Sequence, residues 1–148
     1  MTEPGYFLDA NIFLRHLLND HPDQSPKCLA LFEAIENGTA RGWTTDMVIA
    51  EIVWVLSGPS YSVRRETIAG WLLDLVYLPN LKVEHRNRLA HALHLYTSTP
   101  MDFIDAYNAA FILRRYGPTK LYSFDEHFDR VPDLTRIEPG GDQTAVAA

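Results

Sequence analysis

The sequence predicts an α/β fold built around a mainly parallel sheet. Short apolar segments with strand-like composition alternate along the chain with longer segments whose apolar residues recur at helical spacing. In addition, Asp9 and Asp125 stand at the ends of predicted strands. The carboxyl ends of parallel strands are where such folds bind their ligands. Both observations favour one layered α/β domain with a site at one edge of its sheet.

The first third of the chain predicts a strand followed by two helices. The segment GYFLDA (5–10) has the composition of a short strand, and the apolar run over 11–19 predicts a helix directly after it. Residues 20–26 are predicted as a loop because they are rich in Pro, Asp and Ser. Residues 27–38 show helical spacing and end at an Asn-Gly pair, which is a favourable helix stop.

The middle of the chain repeats this alternation. ARGWTT (40–45) predicts a second strand, and residues 46–58 predict a helix with Asp46 as a candidate cap and a glycine stop. A long amphipathic helix is expected over 62–78, where a Pro-Asn pair ends it, and a short strand over 81–85.

The last third supplies the remaining elements. Helices are predicted over 86–97 and 99–117, the second closed by a Gly-Pro pair, and strands over 120–125 and 134–138. We therefore expect a single domain at residues 1–138 and a frayed tail at residues 139–148.

Composition narrows the class of protein. The 148 residues point to one domain with room for a real core. No apolar run approaches the length of a membrane span, and the N-terminus lacks the basic start and cleavage site of a signal peptide. Cys28 is the single cysteine, so no internal disulfide can form. A cytoplasmic protein with no membrane partner is the default expectation.

The net charge of −6 argues against non-specific attraction to nucleic acid, which usually shows as a basic excess. It leaves a nucleic-acid enzyme open, because a tight cluster of acids can hold metal ions. The positions of the individual acids therefore decide the interpretation.

Glu51 lies in a helix that is otherwise apolar over residues 47–56. A helix that is apolar on all sides is a buried helix, and an ionised Glu inside it requires a partner charge or a metal. The alternatives are an exposed position on a helix buried only in part, or a pairing with a core Arg.

The segment TPMDFIDAYNAA (99–110) contains two aspartates three residues apart. Thr99 is a natural N-cap, and Asp102 falls where the acid of a capping box stands, so Asp102 has a structural explanation. Asp105 lies one turn further in and has none. Asp105 is therefore the better functional candidate, with Asp102 as a helper.

Asp9 and Asp125 are less specific when each is taken alone. Asp9, followed by Asn11, suits a helix cap and a metal ligand equally well. Asp125 begins DEHFD, where any of the acids suits a solvated loop, and its place at a strand end favours it. Carboxylates from four elements that meet at one sheet edge would repel one another unless cations neutralise them. Hard oxygen ligands select Mg²⁺ or Mn²⁺.

The order of these residues resembles the PIN-domain ribonucleases, and within them the VapC toxins of bacterial toxin–antitoxin pairs. The resemblance covers residues 5 to 138. The motifs that carry it, each with the acid it assigns, are LDANIF (Asp9), TTDMVIAEIVWVL (Glu51), DFIDAYNAAFI (Asp105) and LYSFDEHF (Asp125). Ser123 stands where the family more often has Thr, and it keeps the hydroxyl.

The resemblance implies a PIN-like (Rossmann-like) three-layer α/β/α fold and a Mg²⁺-dependent endoribonuclease, with Mn²⁺ as a plausible substitute. The catalytic residues it implies are Asp9, Glu51, Asp105 and Asp125. The supporting residues it implies are Asn11, Asp102 and Ser123. The metal ligands it implies are Asp9 and Asp105, with Glu51 and Asp125 as further candidates. It also implies an RNA substrate, a homodimer, and a cognate VapB-like antitoxin whose tail blocks the active site.

Other classes of function remain open. A catalytically inactive PIN-like binding module or a PIN nuclease that is not a toxin would share these motifs. A phosphoacceptor signalling domain would need a Lys at the end of a late strand, whereas Lys120 begins its predicted strand. A zinc site is a weaker interpretation of His85, His91 and His94, because no Cys or acid completes a familiar pattern. We interpret the helical pair His91 and His94 as solvated helix residues.

Overall fold

A computed structural model describes residues 5–140, and these divide into two units between Ala90 and His91. Each unit is described by itself below. The division falls inside a helix, α5, which runs over Arg86–Ser98. None of the helices in the described part of the chain is long and apolar enough to cross a bilayer.

The first unit contains three strands and four complete helices. In chain order they are β1 (Tyr6–Phe7), α1 (Ala10–Leu18), α2 (Gln24–Glu36), β2 (Gly42–Thr44), α3 (Asp46–Ser57), α4 (Arg65–Val76) and β3 (Leu81–Val83). The strands form a sheet of order β1-β2-β3, and both pairings are parallel. Parallel pairing, expected from the alternation of strands and helices, is thus confirmed here.

The start of β1 depends on Gly5. Its φ of +87° lies in the left-handed region, and a Cβ at this position would overlap the backbone carbonyl of Arg41. That same carbonyl accepts the first hydrogen bond of β1, from the N–H of Tyr6 at 3.0 Å. Glycine therefore lets β1 approach β2 closely, which fixes the chain just before Asp9.

The core of the first unit is built from the inward faces of its helices. Fully buried side chains include Phe13, Ile35, Ile49, Ile52, Leu56, Ile68, Leu72 and Leu81. Their spacing along α3 and α4 follows the helical repeat, so each helix buries one face. This packing holds α1, which begins directly after Asp9, and α3, which contains Glu51.

The second unit contains the rest of α5, α6 (Phe103–Tyr116), β4 (Thr119–Tyr122), a 3₁₀ helix (Glu126–Arg130) and β5 (Leu134–Ile137). β4 and β5 pair in parallel, with Leu121 opposite Arg136. Met101 and Ala106 are fully buried, and Phe103 packs edge-on against Tyr96 with ring centroids 5.9 Å apart. These contacts fix the first turn of α6.

One predicted loop is wrong in part. α2 begins at Gln24, inside the loop predicted over 20–26. The reason is a local cap, because the Nδ1 of His21 accepts hydrogen bonds from the backbone N–H groups of Asp23 and Gln24. The strands are also shorter than predicted, and β1 ends at Phe7. Residues 141–148 of the predicted tail lie outside the described residues, and the single-domain boundary at 138 stays a prediction.

Candidate active site

Two of the predicted acids interact in the second unit. Asp105 lies half-buried in the first turn of α6, and Asp125 stands directly before the 3₁₀ helix. Burial raises the pKa of Asp105, and the negative charges of Asp125 and Asp102 and a hydrogen bond to Asp125 raise it further. His127 acts in the opposite direction. Asp105 is therefore held where its ionised form is disfavoured unless a cation compensates.

The backbone around Asp125 is held by short hydrogen bonds. The N–H of Asp125 donates to Oγ of Ser123 at 3.0 Å, and Oδ1 of Asp125 accepts from the N–H of His127 at 2.9 Å. Nδ1 of His127 lies 3.2 Å from the same oxygen. Ser123, which the motif placed in a supporting role, thus fixes the residue that carries the carboxylate.

The capping box predicted for α6 is wrong. Asp102 itself occupies the N-cap position, and its side chain makes no capping hydrogen bond. Thr99 instead belongs to the end of α5, because its hydroxyl donates to the carbonyl of Leu95 at 2.7 Å and accepts from the N–H of Met101 at 3.2 Å. Asp102 is exposed, and its charge acts on Asp105.

Asp9 occupies the N-cap position of α1 in the first unit, yet its side chain makes no capping hydrogen bond. The residue before it is anchored on both sides. The N–H of Leu8 donates to the carbonyl of Trp43 at 2.9 Å, and the carbonyl of Leu8 accepts from the buried hydroxyl of Thr44 at 2.9 Å. Asp9 and Asn11 are both exposed at the start of α1. The backbone is therefore fixed at Asp9 while its carboxylate is accessible.

Glu51 is exposed, so the expectation that it lies inside a wholly buried helix is wrong. Its neighbours on the same helical face, Met47 and Trp54, are 76% and 78% exposed. α3 buries its opposite face, through residues such as Ile52 and Leu56. The apolar run over residues 47–56 therefore belongs to a helix that buries one face and exposes apolar side chains beside Glu51 on the other.

A second group of ligating side chains was not assigned from the sequence. Asp46, Glu84 and His85 bring their ligating atoms within 4.8 Å of one another in the first unit. Nδ1 of His85 lies 2.9 Å from Oδ2 of Asp46 and 3.7 Å from Oε1 of Glu84. His85 is thus exposed, as expected, but its ring lies against two carboxylates.

The positions of these residues explain the group. Thr45, and not Asp46, caps α3, through a hydrogen bond from the N–H of Val48. That leaves the Asp46 carboxylate to meet His85. Asp46 and Glu84 follow the ends of the neighbouring parallel strands β2 and β3, which is the signal that could have found the group.

A model of the PIN domain matches residues 6–134 of the chain. The chain belongs to the PIN-domain family. The predicted fold class, a PIN-like α/β/α fold with parallel strands, is confirmed. Among the curated proteins searched, none matches the chain. PIN domains are typically nucleases that use divalent metal ions, so membership supports a metal-dependent hydrolase acting on nucleic acid.

The acids of this PIN domain suit a hard divalent cation. Asp102, Asp105 and Asp125 offer carboxylate oxygens, and burial, followed by the charges of Asp125 and Asp102, raises the pKa of Asp105. Asp46 and Glu84 offer further carboxylates, but His85 already provides them with a partner that carries charge when protonated. The donors around Asp105 are all carboxylates, the ligands that Mg²⁺ prefers, whereas one of the three donors in the Asp46 group is an imidazole nitrogen.

Proposed function

We propose that this PIN domain is a Mg²⁺-dependent endoribonuclease that hydrolyses RNA phosphodiester bonds. Its proposed catalytic residues are Asp9, Glu51, Asp105 and Asp125. The observation that carries the proposal is the carboxylate pair of Asp105 and Asp125, in a chain whose family is made up chiefly of metal-dependent nucleases. Mn²⁺ is expected to substitute for Mg²⁺, because both prefer oxygen ligands.

Each acid has a proposed role. Asp9 and Asp105 hold the metal, and Glu51 and Asp125 complete its ligands. When bound, Mg²⁺ would supply positive charge that stabilises the phosphate in the transition state, and it would lower the pKa of water so that the hydroxide nucleophile forms more readily. Ser123 supports Asp125 through the hydrogen bond to its N–H. In this proposal Asn11 supports Asp9, and Asp102 adds negative charge beside Asp105.

An RNA substrate is supported by the surface next to Asp125. Phe124 is 71% exposed, and it lines a depression of about 680 Å³ whose other lining residues are Asp125, Glu126, His127, Asp129 and Arg130. Exposed aromatic rings stack on unpaired bases, and Arg binds phosphate. We therefore expect single-stranded RNA to place a base on Phe124.

We further propose that the protein is the toxin of a cytoplasmic VapBC pair and that it acts as a homodimer. An antitoxin tail that carries Arg would pair with the active-site carboxylates and so inhibit the enzyme. The exposed apolar face of α3 around Met47 and Trp54 supports a partner surface on this helix.

Cleavage of RNA in Mg²⁺ tests the enzymatic proposal. The wild-type protein should cut single-stranded RNA with Mg²⁺ and lose this activity when EDTA removes the metal. Asp105→Asn should abolish cleavage, and Asp46→Asn should leave it largely intact as a matched loss of one carboxylate. Thermal melts of both variants establish that each is folded.

Three other outcomes contradict the proposal in different ways. Loss of cleavage in Asp46→Asn alone would assign the metal to the group of Asp46, Glu84 and His85. RNA binding without cleavage would indicate an inactive binding module. Cleavage without growth arrest on induced expression in bacteria would indicate a PIN nuclease that is not a toxin.

A further inference from the structure

Arg136, on β5, donates four side-chain hydrogen bonds close to Asp125. Its Nε and Nη2 donate to the two carboxylate oxygens of Asp129, at 3.0 and 3.2 Å. Its Nη1 donates to Oε1 of Glu138 at 2.9 Å and to the backbone carbonyl of Ser123 at 3.1 Å. The side chain is only 13% exposed. A guanidinium so enclosed and so fully bonded is fixed in position.

Two of its partners bracket Asp125 along the chain. Ser123 precedes Asp125 by two residues, and Asp129 follows it by four. The segment between them also carries its own bonds, from the N–H of Asp125 to Ser123 and from the N–H of His127 to Asp125. One side chain thus ties both ends of the turn that presents the Asp125 carboxylate to the strand β5.

We propose that Arg136 is a positioning residue that fixes Asp125 for catalysis. The proposal rests on the proposed function, because it takes Asp125 as a member of the catalytic set. Arg136 acts through the segment 123–129, which we name the Asp125 turn. Nothing in this role requires Arg136 to touch the substrate.

The role requires arginine and not merely a positive charge. The planar guanidinium binds both oxygens of Asp129 while its remaining N–H groups reach Ser123 and Glu138. A lysine ammonium offers three donors from a single point and cannot reproduce this fork. Arg136→Lys therefore keeps the charge and removes the geometry.

The first test compares Arg136→Lys with Arg41→Lys, an exposed arginine in the first unit. If Arg136 positions Asp125, Arg136→Lys lowers kcat by roughly ten- to a hundredfold, as loss of supporting bonds to ligands does. KM for RNA and the melting temperature should change little. Hydrogen exchange of the Asp125 turn should be faster, whereas Arg41→Lys should match wild type in every measurement.

A second pair of variants covers the case in which Arg136→Lys fails to fold. Asp129→Asn and Glu138→Gln each remove one negative partner of Arg136, but only Asp129 belongs to the Asp125 turn. The proposal predicts a lower kcat and faster exchange in Asp129→Asn, and near wild-type behaviour in Glu138→Gln. Equal effects of the two variants would overturn it.

Coupling to Asp125 separates positioning from a general structural role. In an Asp125→Asn background, Arg136→Lys should lower the residual rate no further, because the group it positions is already disabled. Multiplying losses would overturn the proposal. If the wild type cleaves no RNA, the proposed function fails, and exchange of the Asp125 turn still decides whether Arg136 fixes it.

Discussion

At the scale of single residues, Asp105 shows how a catalytic candidate differs from a solvated acid. Burial and the charges of Asp125 and Asp102 raise its pKa above the ordinary value of 3.8. The folded, metal-free protein therefore binds a proton at Asp105 more tightly than the unfolded chain does. Its contribution to stability is fully present below 3.8 and is lost as the pH rises through the folded-state pKa.

Asp105→Asn should therefore raise the melting temperature of the metal-free protein at neutral pH while it abolishes cleavage. The gain should shrink as the pH falls toward 3.8, where the wild-type carboxyl is protonated. Thermal melts in EDTA across this pH range measure it, with Asp74→Asn, an exposed aspartate on α4, as the control. A marked fall in melting temperature at neutral pH would instead show a stabilising partner for the Asp105 carboxylate.

Thr99 and Asp102 give a second prediction. Thr99→Val removes a hydroxyl that bridges the end of α5 and Met101, so it should lower the free energy of unfolding by about 1 kcal/mol. Asp102→Ala should lower the free energy of unfolding by less, since the Asp102 side chain makes no capping hydrogen bond and its negative charge repels that of Asp105. Urea unfolding of both variants measures the difference. A larger loss of unfolding free energy in Asp102→Ala than in Thr99→Val would instead indicate that Asp102 caps α6.

At the scale of elements, the helices could be predicted because apolar spacing and stop signals act locally. The errors lie where a single side-chain hydrogen bond fixes a helix end, or where neighbouring elements decide which face of a helix is buried. The ring nitrogen of His21 accepts a hydrogen bond at the first residue of α2, so this helix begins before its predicted start. The Thr99 hydroxyl donates to a carbonyl of α5 and does not cap α6. Glu51 was misjudged because an apolar run does not say which face of α3 is covered. The spacing of apolar residues along the sequence predicts a helix, but which face of that helix is buried depends on the elements packed against it.

The segment after β4 supplies the prediction at this scale. If Phe124 stacks on an RNA base, Phe124→Ala should raise KM for single-stranded RNA by roughly fivefold or more, as loss of base stacking does. kcat should change little, because the carboxylates are untouched. Steady-state kinetics on an unstructured oligonucleotide measure both constants, and Phe124→Trp should restore binding. An unchanged KM in Phe124→Ala would remove the base-stacking role.

At the scale of the whole molecule, the fold class and the family could be predicted because the four acid-bearing motifs follow one another in the order typical of PIN domains. Asp105 interacts with Asp125 within the second unit, and the expectation that all four acids meet at one site stays a prediction. Arg136 could not be named in advance, because its contacts depend on strand register and on side-chain geometry, which no local pattern encodes. The group of Asp46, Glu84 and His85 left one signal, the placement of Asp46 and Glu84 after two neighbouring strands.

The acidic net charge of −6 is consistent with a nuclease whose carboxylates serve a metal. In the proposed function, Asp9 and Asp105 belong to one catalytic set, although they lie far apart in the sequence. Residues that act as a unit show losses that do not multiply when they are removed together.

Single-turnover RNA cleavage at saturating Mg²⁺, measured for the wild type, Asp9→Asn, Asp105→Asn and the double variant, distinguishes one shared catalytic set from two independent roles. We expect each single change to slow cleavage by roughly a hundredfold or more, as loss of a preorganised electrostatic group does. The double variant should be no slower than the slower single variant. A wild-type cleavage rate in Asp9→Asn, or rate losses that multiply in the double variant, would contradict the proposal that Asp9 and Asp105 form one catalytic set.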